Sequence, residues 1–437
     1  MSYKKVFLVL GLLVAMSRSV SAGGIEGPGV GARALSMGGA FIGLADDWTA
    51  IYWNPAGLAR LSGKGGGLSI DYVPSKASDG NSAGNPIGLS LDAKDRGEAF
   101  FQFGNEPDSF TKTDIESTVY LPTLGGYIPL KGLVVGGGIY VPLGYATEWE
   151  DDSLPGIDAS FEMEAREIVY NISAAKEIRP GLSLGLGLNI LQGSVKNEAE
   201  KVVSKTYICT SKIEGDGLNL EGVLGVLYQI MPNLSAGLIY RTGSELTLDG
   251  EAKITHSSFP VNAQTVILLS EKSDYEQKFR VPATYGLGLA YQPTSKFILT
   301  CDWNHTDWST FRKEVDFKKD DPTYLFLTDK DEDLDWEVVD KIRLGLEYKP
   351  NNIWSFRAGF FTDPSPVPDK ALNITNLAGI DTDRNFWTVG SSYNYKNWQF
   401  DLGFIHTKSD RTVKEAGEDV KYEKEANSIH LATSRRF

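Results

Sequence analysis

Leu182-Ser-Leu-Gly-Leu-Gly-Leu-Asn-Ile190 decides how this chain folds. Leucine or isoleucine takes every second position, and serine, glycine or asparagine fills the places between. Successive side chains of a strand point to opposite faces, so the stretch has one apolar face and one polar or nearly bare face. The same period recurs in Tyr285-Gly-Leu-Gly-Leu-Ala-Tyr291, Ile342-Arg-Leu-Gly-Leu-Glu-Tyr348, Trp354-Ser-Phe-Arg-Ala-Gly-Phe360 and Trp398-Gln-Phe-Asp-Leu-Gly-Phe404. A soluble β-sandwich alternates too, with its apolar face turned inward. Three details favour a wall facing lipid. Aromatics stand at strand ends (Tyr291, Tyr348, Trp354, Trp398), short turns alternate with long polar loops, and the polar face carries glycines and charges that suit a lumen.

Working outward, strands are predicted at 64–73, 117–127, 133–148, 159–174, 181–196, 216–229, 233–249, 277–291, 296–306, 339–349, 353–361, 384–394, 397–409 and 427–437. That is fourteen, an even number as single-chain bacterial barrels require. Six tight turns separate them: Pro129 to Gly132, Arg179-Pro180-Gly181, Met231-Pro232-Asn233, Gln292-Pro293-Thr294, Lys349-Pro350-Asn351 and Asn394 to Asn397. Pro, Gly and Asn fix or free the backbone angles that a reversal needs. The other connections are long and expected outside the cell.

Both ends fit export to an outer membrane. Lys4 and Lys5 precede the apolar run Val6 to Met16, and Val20-Ser21-Ala22 supplies small residues for cleavage, so residues 1–22 read as a signal peptide. No cysteine follows that site to carry a lipid anchor, and no later stretch is apolar for long enough to form a spanning helix. At the other end Ile429, Leu431 and Thr433 alternate toward Phe437, like the aromatic-ended last strand of bacterial outer-membrane barrels. Arg435 interrupts that pattern.

Composition excludes more than it proposes. Two cysteines among 437 residues do not make a disulfide scaffold, and four histidines are too few for a multi-ligand metal or haem protein. A net charge of -14 argues against nucleic acid, whose phosphates want Lys and Arg. Cys209 reads as a loop residue and Cys301 as part of an apolar strand face, so a bridge between them is not expected. The stretch 307–338, with 11 acidic and 5 basic residues, reads as a solvated external loop. Its Asp329, Asp331, Asp333 and Asp335 lack the glycine of a calcium loop at the sixth position, which is Leu334. No cofactor or metal site is expected.

Residues 23–61 break the strand period. Gly31-Ala-Arg-Ala-Leu-Ser-Met-Gly-Gly-Ala-Phe-Ile-Gly-Leu-Ala-Asp-Asp47 and the following Trp48 to Leu61 are small, helical in tendency and glycine-rich, as a plug inside a lumen would be. This segment, with Asn54-Pro55-Ala56, resembles the hatch of the FadL-type outer-membrane transporters of long-chain fatty acids and aromatic hydrocarbons. Asp363-Pro-Ser365-Pro366-Val367-Pro368, Ile380 to Trp387, Trp303 to Phe311 and Gly144 to Trp149 are similar to further parts of that family. The resemblance implies a 14-stranded antiparallel transmembrane β-barrel (62–437) with a small N-terminal helical hatch (23–61). It implies passive uptake of hydrophobic compounds at the bacterial outer membrane, with no catalytic residues. Expected partners are those compounds and outer-membrane lipid and lipopolysaccharide, with no nucleic acid and a monomeric chain.

Pro142 cannot donate to a ladder and Gly144 weakens a strand, so the third strand is expected to be interrupted there. The resemblance implies a kink beside a lateral opening; a plain bulge near the rim is the alternative. For Asn54-Pro55-Ala56 it implies a coupling motif near that kink, against an ordinary helix-ending turn. Arg343 and Arg357 lie on polar strand faces as possible lumenal contacts for a ligand, though Glu347 and Asp401 could pair with them. The stretches corresponding to the family's carboxylate-binding residues read Gln192-Gly-Ser-Val195 and Val338-Val339-Asp340, which leaves neutral hydrocarbons open. A barrel lipase would need a Ser/His/acid group, which His256, His305, His406 and His430 do not suggest by spacing. A structural porin or adhesin would have an open lumen or a binding tip.

Overall fold

The computed structural model describes residues 27–80, 113–154, 157–204, 207–258, 267–318, 324, 327–369, 381–415 and 418–437. The predicted signal peptide and residues 23–26 of the hatch lie outside these. Two one-turn helices, α1 (Ala32–Leu35) and α2 (Ala50–Trp53), and a 3-10 helix (Pro55–Arg60) precede the sheet. The strands are β1 (Gly65–Gly80), β2 (Thr113–Leu130), β3 (Leu133–Leu154), β4 (Ile157–Arg179), β5 (Leu182–Ser204), β6 (Tyr207–Met231), β7 (Leu234–Arg241), β8 (Ser244–Ser258) and β9 (Ile267–Val281). Then come β10 (Thr284–Thr294), β11 (Phe297–Asp307), β12 (Arg312–Phe317), β13 (Lys330–Asp333), β14 (Val338–Tyr348), β15 (Trp354–Asp363), β16 (Arg384–Tyr395), β17 (Trp398–Glu415) and β18 (Glu418–Arg436).

Fourteen of these close an antiparallel ring: β1 to β7 in order, then β10, β11 and β14 to β18, with β18 returning to β1. The fourteen-strand barrel expected from the period is therefore the fold. The predicted strand 233–249 is split by Thr242-Gly243, where Gly243 takes φ 69°, into β7 and β8. Both halves pair with β6. The predicted strand 277–291 is likewise split at Pro282-Ala283 into β9 and β10, because Pro282 has no N–H to give a ladder. Beyond the ring, β8, β9, β12 and β13 continue as a sheet above the loop end.

The faces are inside out relative to a soluble sandwich. Leu186 is 65% exposed while Ser183 on the other face of the same strand is 2% exposed. On β14, Ile342, Leu344 and Leu346 face out and Arg343 and Glu347 are buried. Aromatic pairs ring the turn end, as in Phe297–Tyr348 and Trp354–Tyr393, and a second set including Tyr240–Tyr285 and Phe360–Trp387 lies nearer the loop end. Such girdles mark the two membrane interfaces. Arg435 belongs to the first girdle: its guanidinium lies 5.1 Å from the Trp398 ring and 4.5 Å from that of Phe437. A cation stacked on aromatics at an interface explains why the last strand tolerates it.

Two expectations need correcting. Cys209 is not in a loop; it sits in β6 opposite Lys201 of β5, because the strands run well past the predicted boundaries. The stretch 307–338 is not simply a solvated loop. It forms the β12–β13 hairpin, and Trp308, Phe311 and Trp336 pack into one buried aromatic group with ring centroids 4.6 to 5.5 Å apart. Its acids are used locally, Asp329 accepting from the Phe317 amide and Asp333 from Arg312.

Candidate functional site: the plugged lumen and its cavity

The segment 27–61 fills the ring, and glycines on the wall make room for it. A Cβ at Gly359 of β15 would collide with the Gly38 amide, and one at Gly185 of β5 with the Pro55–Ala56 peptide. Gly237 and Gly288, register partners on β7 and β10, lie against Ile42 in the same way. The glycine excess is thus a matter of clearance rather than of backbone freedom. Within the hatch, Gly29, Gly31, Gly38 and Gly39, with φ 127°, 86°, 64° and 68°, do take conformations that other residues avoid.

One ion cluster fastens the hatch to the wall. Arg33 of α1 donates from Nε and Nη2 to the two oxygens of Glu347 on β14, at 3.1 and 3.2 Å. Glu347 also receives Arg357 Nε at 2.6 Å and Lys349 Nζ at 2.9 Å, and Arg357 reaches Asp401 at 3.3 Å. Within the hatch, Arg33 meets Asp46 and Asp47 at 2.5 and 3.2 Å. Burial alone would lower the Arg33 pKa, but Asp46, Glu347 and Asp47 outweigh it and hold the pKa above its usual value. Charges this deep persist only as a fully paired set.

The sequence-predicted residues fall in three places. Asn54 caps the 3-10 helix by accepting from the Ala56 amide, with Pro55 at the first helical position. Its Nδ2 donates to the carbonyls of Ile42 and of Val226 on β6, each at 3.0 Å. Asn54, Pro55 and Ala56 therefore pack on β5 and β6. Pro142 lies in a register shift between Tyr140 and Leu143 of β3, and its carbonyl accepts from the Gly27 amide at 2.9 Å. The ladder resumes at Leu143 opposite Glu167, and Gly144 pairs with Arg166 of β4. On the other side, β2 and β3 pair only from Leu130–Leu133 up to Leu124–Ile139, although both backbones continue beyond as strand. Arg357 is absorbed by the ion cluster. Arg343 instead donates to the carbonyls of Pro28 and Gly38, at 3.1 and 3.2 Å, and stacks on Phe361 and Trp53.

Above the hatch, between Gly27, Pro142 and Arg343, lies a cavity of about 120 Å³. Its walls include Tyr52, Trp53, Tyr140 and Trp308, with Val169, Leu191 and Ile239. Tyr52 meets Tyr140 edge-on at 5.3 Å and carries Arg241 over its ring at 4.8 Å. Sequence periodicity placed Arg343 on the lumenal face; it had no means of gathering Tyr52, Tyr140 and Trp308 around it.

Histidine is used in a way that spacing did not suggest. His430 Nε2 lies 2.8 Å from Ser428 Oγ and its Nδ1 2.9 Å from Asp71 Oδ1, with all three buried where β18 closes on β1. The hatch backs the group, since a Cβ at the neighbouring Gly403 would meet Ser36 Oγ and His430 Cβ. Among the described residues no set of three His, Cys, Asp or Glu side chains is placed to hold a metal ion.

An outward-apolar, fourteen-strand barrel with its lumen plugged by its own N-terminal segment defines an outer-membrane transport barrel. Residues 13–437 match the family described as outer membrane protein transport protein (OMPP1/FadL/TodX), and the chain belongs to that family. A similar relative is the 47 kDa outer membrane protein of Pasteurella multocida, 26% identical over 355 residues that span 75% of this chain and 79% of that protein. Among solved structures, a Pseudomonas aeruginosa FadL homologue superimposes with a TM-score of 0.71 at 16% identity, covering 95% of this chain and 100% of that one. The P. putida toluene transporter TodX does so at 0.65 and 17%, covering 94% and 99%. At these identities the superpositions speak to the fold.

Proposed function

We propose that this chain takes up hydrophobic compounds passively across the outer membrane and releases them sideways through its wall. External loops capture the compound, the cavity above the hatch holds it, and it leaves between β2 and β3 into the membrane. The observation that carries this reading is the meeting of three features at Pro142. The β2–β3 ladder ends below it, it lines the cavity, and it holds the hatch through Gly27. An unpaired strand edge costs several kcal/mol per exposed polar group in hydrocarbon, so a wall left unpaired at this depth calls for a role. The toluene transporter among the similar structures shows that this fold serves a hydrophobic substrate elsewhere. In this reading the chain works as a monomer, since lumen, hatch and opening all come from one polypeptide, and its girdles sit among lipid and lipopolysaccharide.

Replacing Pro142 with Val restores a ladder donor, and replacing Gly144 with Thr raises strand propensity. Uptake of a hydrophobic probe into proteoliposomes should then fall by about tenfold, while the heat-modifiable gel shift of a folded barrel stays. Unchanged uptake in that folded variant sinks lateral release.

A further inference from the structure

The short-turn end of such a barrel faces the periplasm, and around the closing seam it carries charge of one sign. The stretches that build it there, 61–70, 349–362, 385–400 and 426–437, hold no Asp or Glu, although the whole chain has 57 acidic and 43 basic residues. Their Lys349 and Arg357 are taken up inside by Glu347. Lys64, Lys396 and Arg435 are exposed at the outer edge, each held on an aromatic ring of the girdle. Lys396 Nζ lies 5.2 Å from the Tyr395 ring, Lys64 Nζ lies 5.5 Å from that of Phe437, and Arg435 shares Phe437 with Trp398. Among the described residues no carboxylate side chain is paired with any of the three. The terminal carboxylate of Phe437 offsets one charge and leaves the patch positive.

A groove of about 530 Å³ opens on the lipid-facing wall next to this patch. Its shape follows from the register. Thr433 stands between Phe400 and Leu68 in one row across the strands, and Ser391 beside Leu402 in the next, so small side chains are sunk among large ones. Leu431, Ile70 and Trp354 extend the walls. The one acid among its lining residues, Asp401, gives its carboxylate to Arg357 and Gln399. Leu431 is four residues from Arg435, roughly 13 Å at the rise of a strand. Against an apolar band about 25 Å tall, the groove therefore stays in the half nearest the periplasm.

A ligand that uses both features carries an anion and a hydrocarbon chain joined to each other, with the anion at the interface. Glycerophospholipid of the periplasmic leaflet has that form, whereas lipopolysaccharide belongs to the opposite leaflet. We propose that the seam of β16, β17, β18 and β1 is a binding site for an anionic glycerophospholipid. Its phosphate lies among Arg435, Lys396 and Lys64, and one acyl chain fills the groove. A zwitterionic lipid brings an ammonium to the same three cations and loses the match. The site lies on the outside of the wall and does not depend on the uptake reading.

The test is native mass spectrometry of the full barrel in detergent, with phosphatidylglycerol and phosphatidylethanolamine of matched acyl chains. A basic side chain at an anionic membrane surface is worth about 1 kcal/mol, or about fivefold. Wild type should therefore retain phosphatidylglycerol at least about fivefold better. In the triple variant Lys64→Gln, Lys396→Gln, Arg435→Gln that preference should fall toward one. Lys131 and Lys296, exposed on other turns, serve as the control, and changing both to Gln should leave the preference in place. Thr433→Trp fills the groove and should lower retention of both lipids. Each variant is first checked by the gel shift of a folded barrel, and if the triple variant fails it, Lys396→Gln alone decides. Equal retention of the two lipids by wild type, or a preference that survives in the folded patch variant, overturns the site. A preference lost equally in the Lys131 and Lys296 control also overturns it, since total charge would then be the cause.

Discussion

Glu347 illustrates how much one buried carboxylate can carry. It is fully enclosed and accepts from Arg33, Arg357 and Lys349. Exchanging it for glutamine leaves three cations facing a neutral group, and removing one partner of a buried pair costs about 3–5 kcal/mol. Glu347→Gln should therefore lower the temperature at which the folded gel band is lost, and an unchanged transition would show the cluster to be energetically idle. Part of this was legible beforehand. Glu347, Arg357 and Asp401 each fall on the polar phase of their strands, so a lumenal pairing was open to them. Arg33 was not legible, because it lies 314 positions from Glu347 and nothing local ties a helix residue to a distant strand. Both carboxylates went to Arg357 and Arg33, which left Arg343 to hold carbonyls of the hatch and to face the cavity.

Between elements, the contact that matters is hatch against wall. Its specificity is steric: glycines at Gly185, Gly237, Gly288, Gly345 and Gly359 let the hatch backbone approach several strands closely. Gly185→Val places a branched side chain where the Pro55–Ala56 peptide sits, so the hatch should lift although β5 gains strand propensity. Limited proteolysis would then cut residues 27–61 in the variant and spare them in wild type, and equal protection would refute the steric account. The hairpin β12–β13 makes the opposite point about element prediction. A stretch rich in acids read as solvated, yet Trp308, Phe311 and Trp336 are spaced to fold it over a buried aromatic group. Six aromatics within one charged stretch, Trp308, Phe311 and Trp336 among them, were the available signal.

For the whole molecule, the barrel is a wide channel stopped by its own N-terminus. Fourteen strands enclose more space than their side chains fill, and the hatch occupies the rest. Deletion of residues 27–61 should turn a closed protein into one with stepwise ion conductance in planar bilayers. An intact chain that already conducts would favour the porin alternative. What the order of residues determined alone is the barrel: the period of two, the outward aromatic and aliphatic faces and the count of fourteen follow from side-chain direction, a property each strand has without its neighbours. Only the tertiary structure decided which residues share the lumen. Arg33 meets Glu347, Asp71 meets His430, and Tyr52 meets Tyr140 because the ring closes around a plug. Closure sets neighbours through space, and no local period in a chain encodes them.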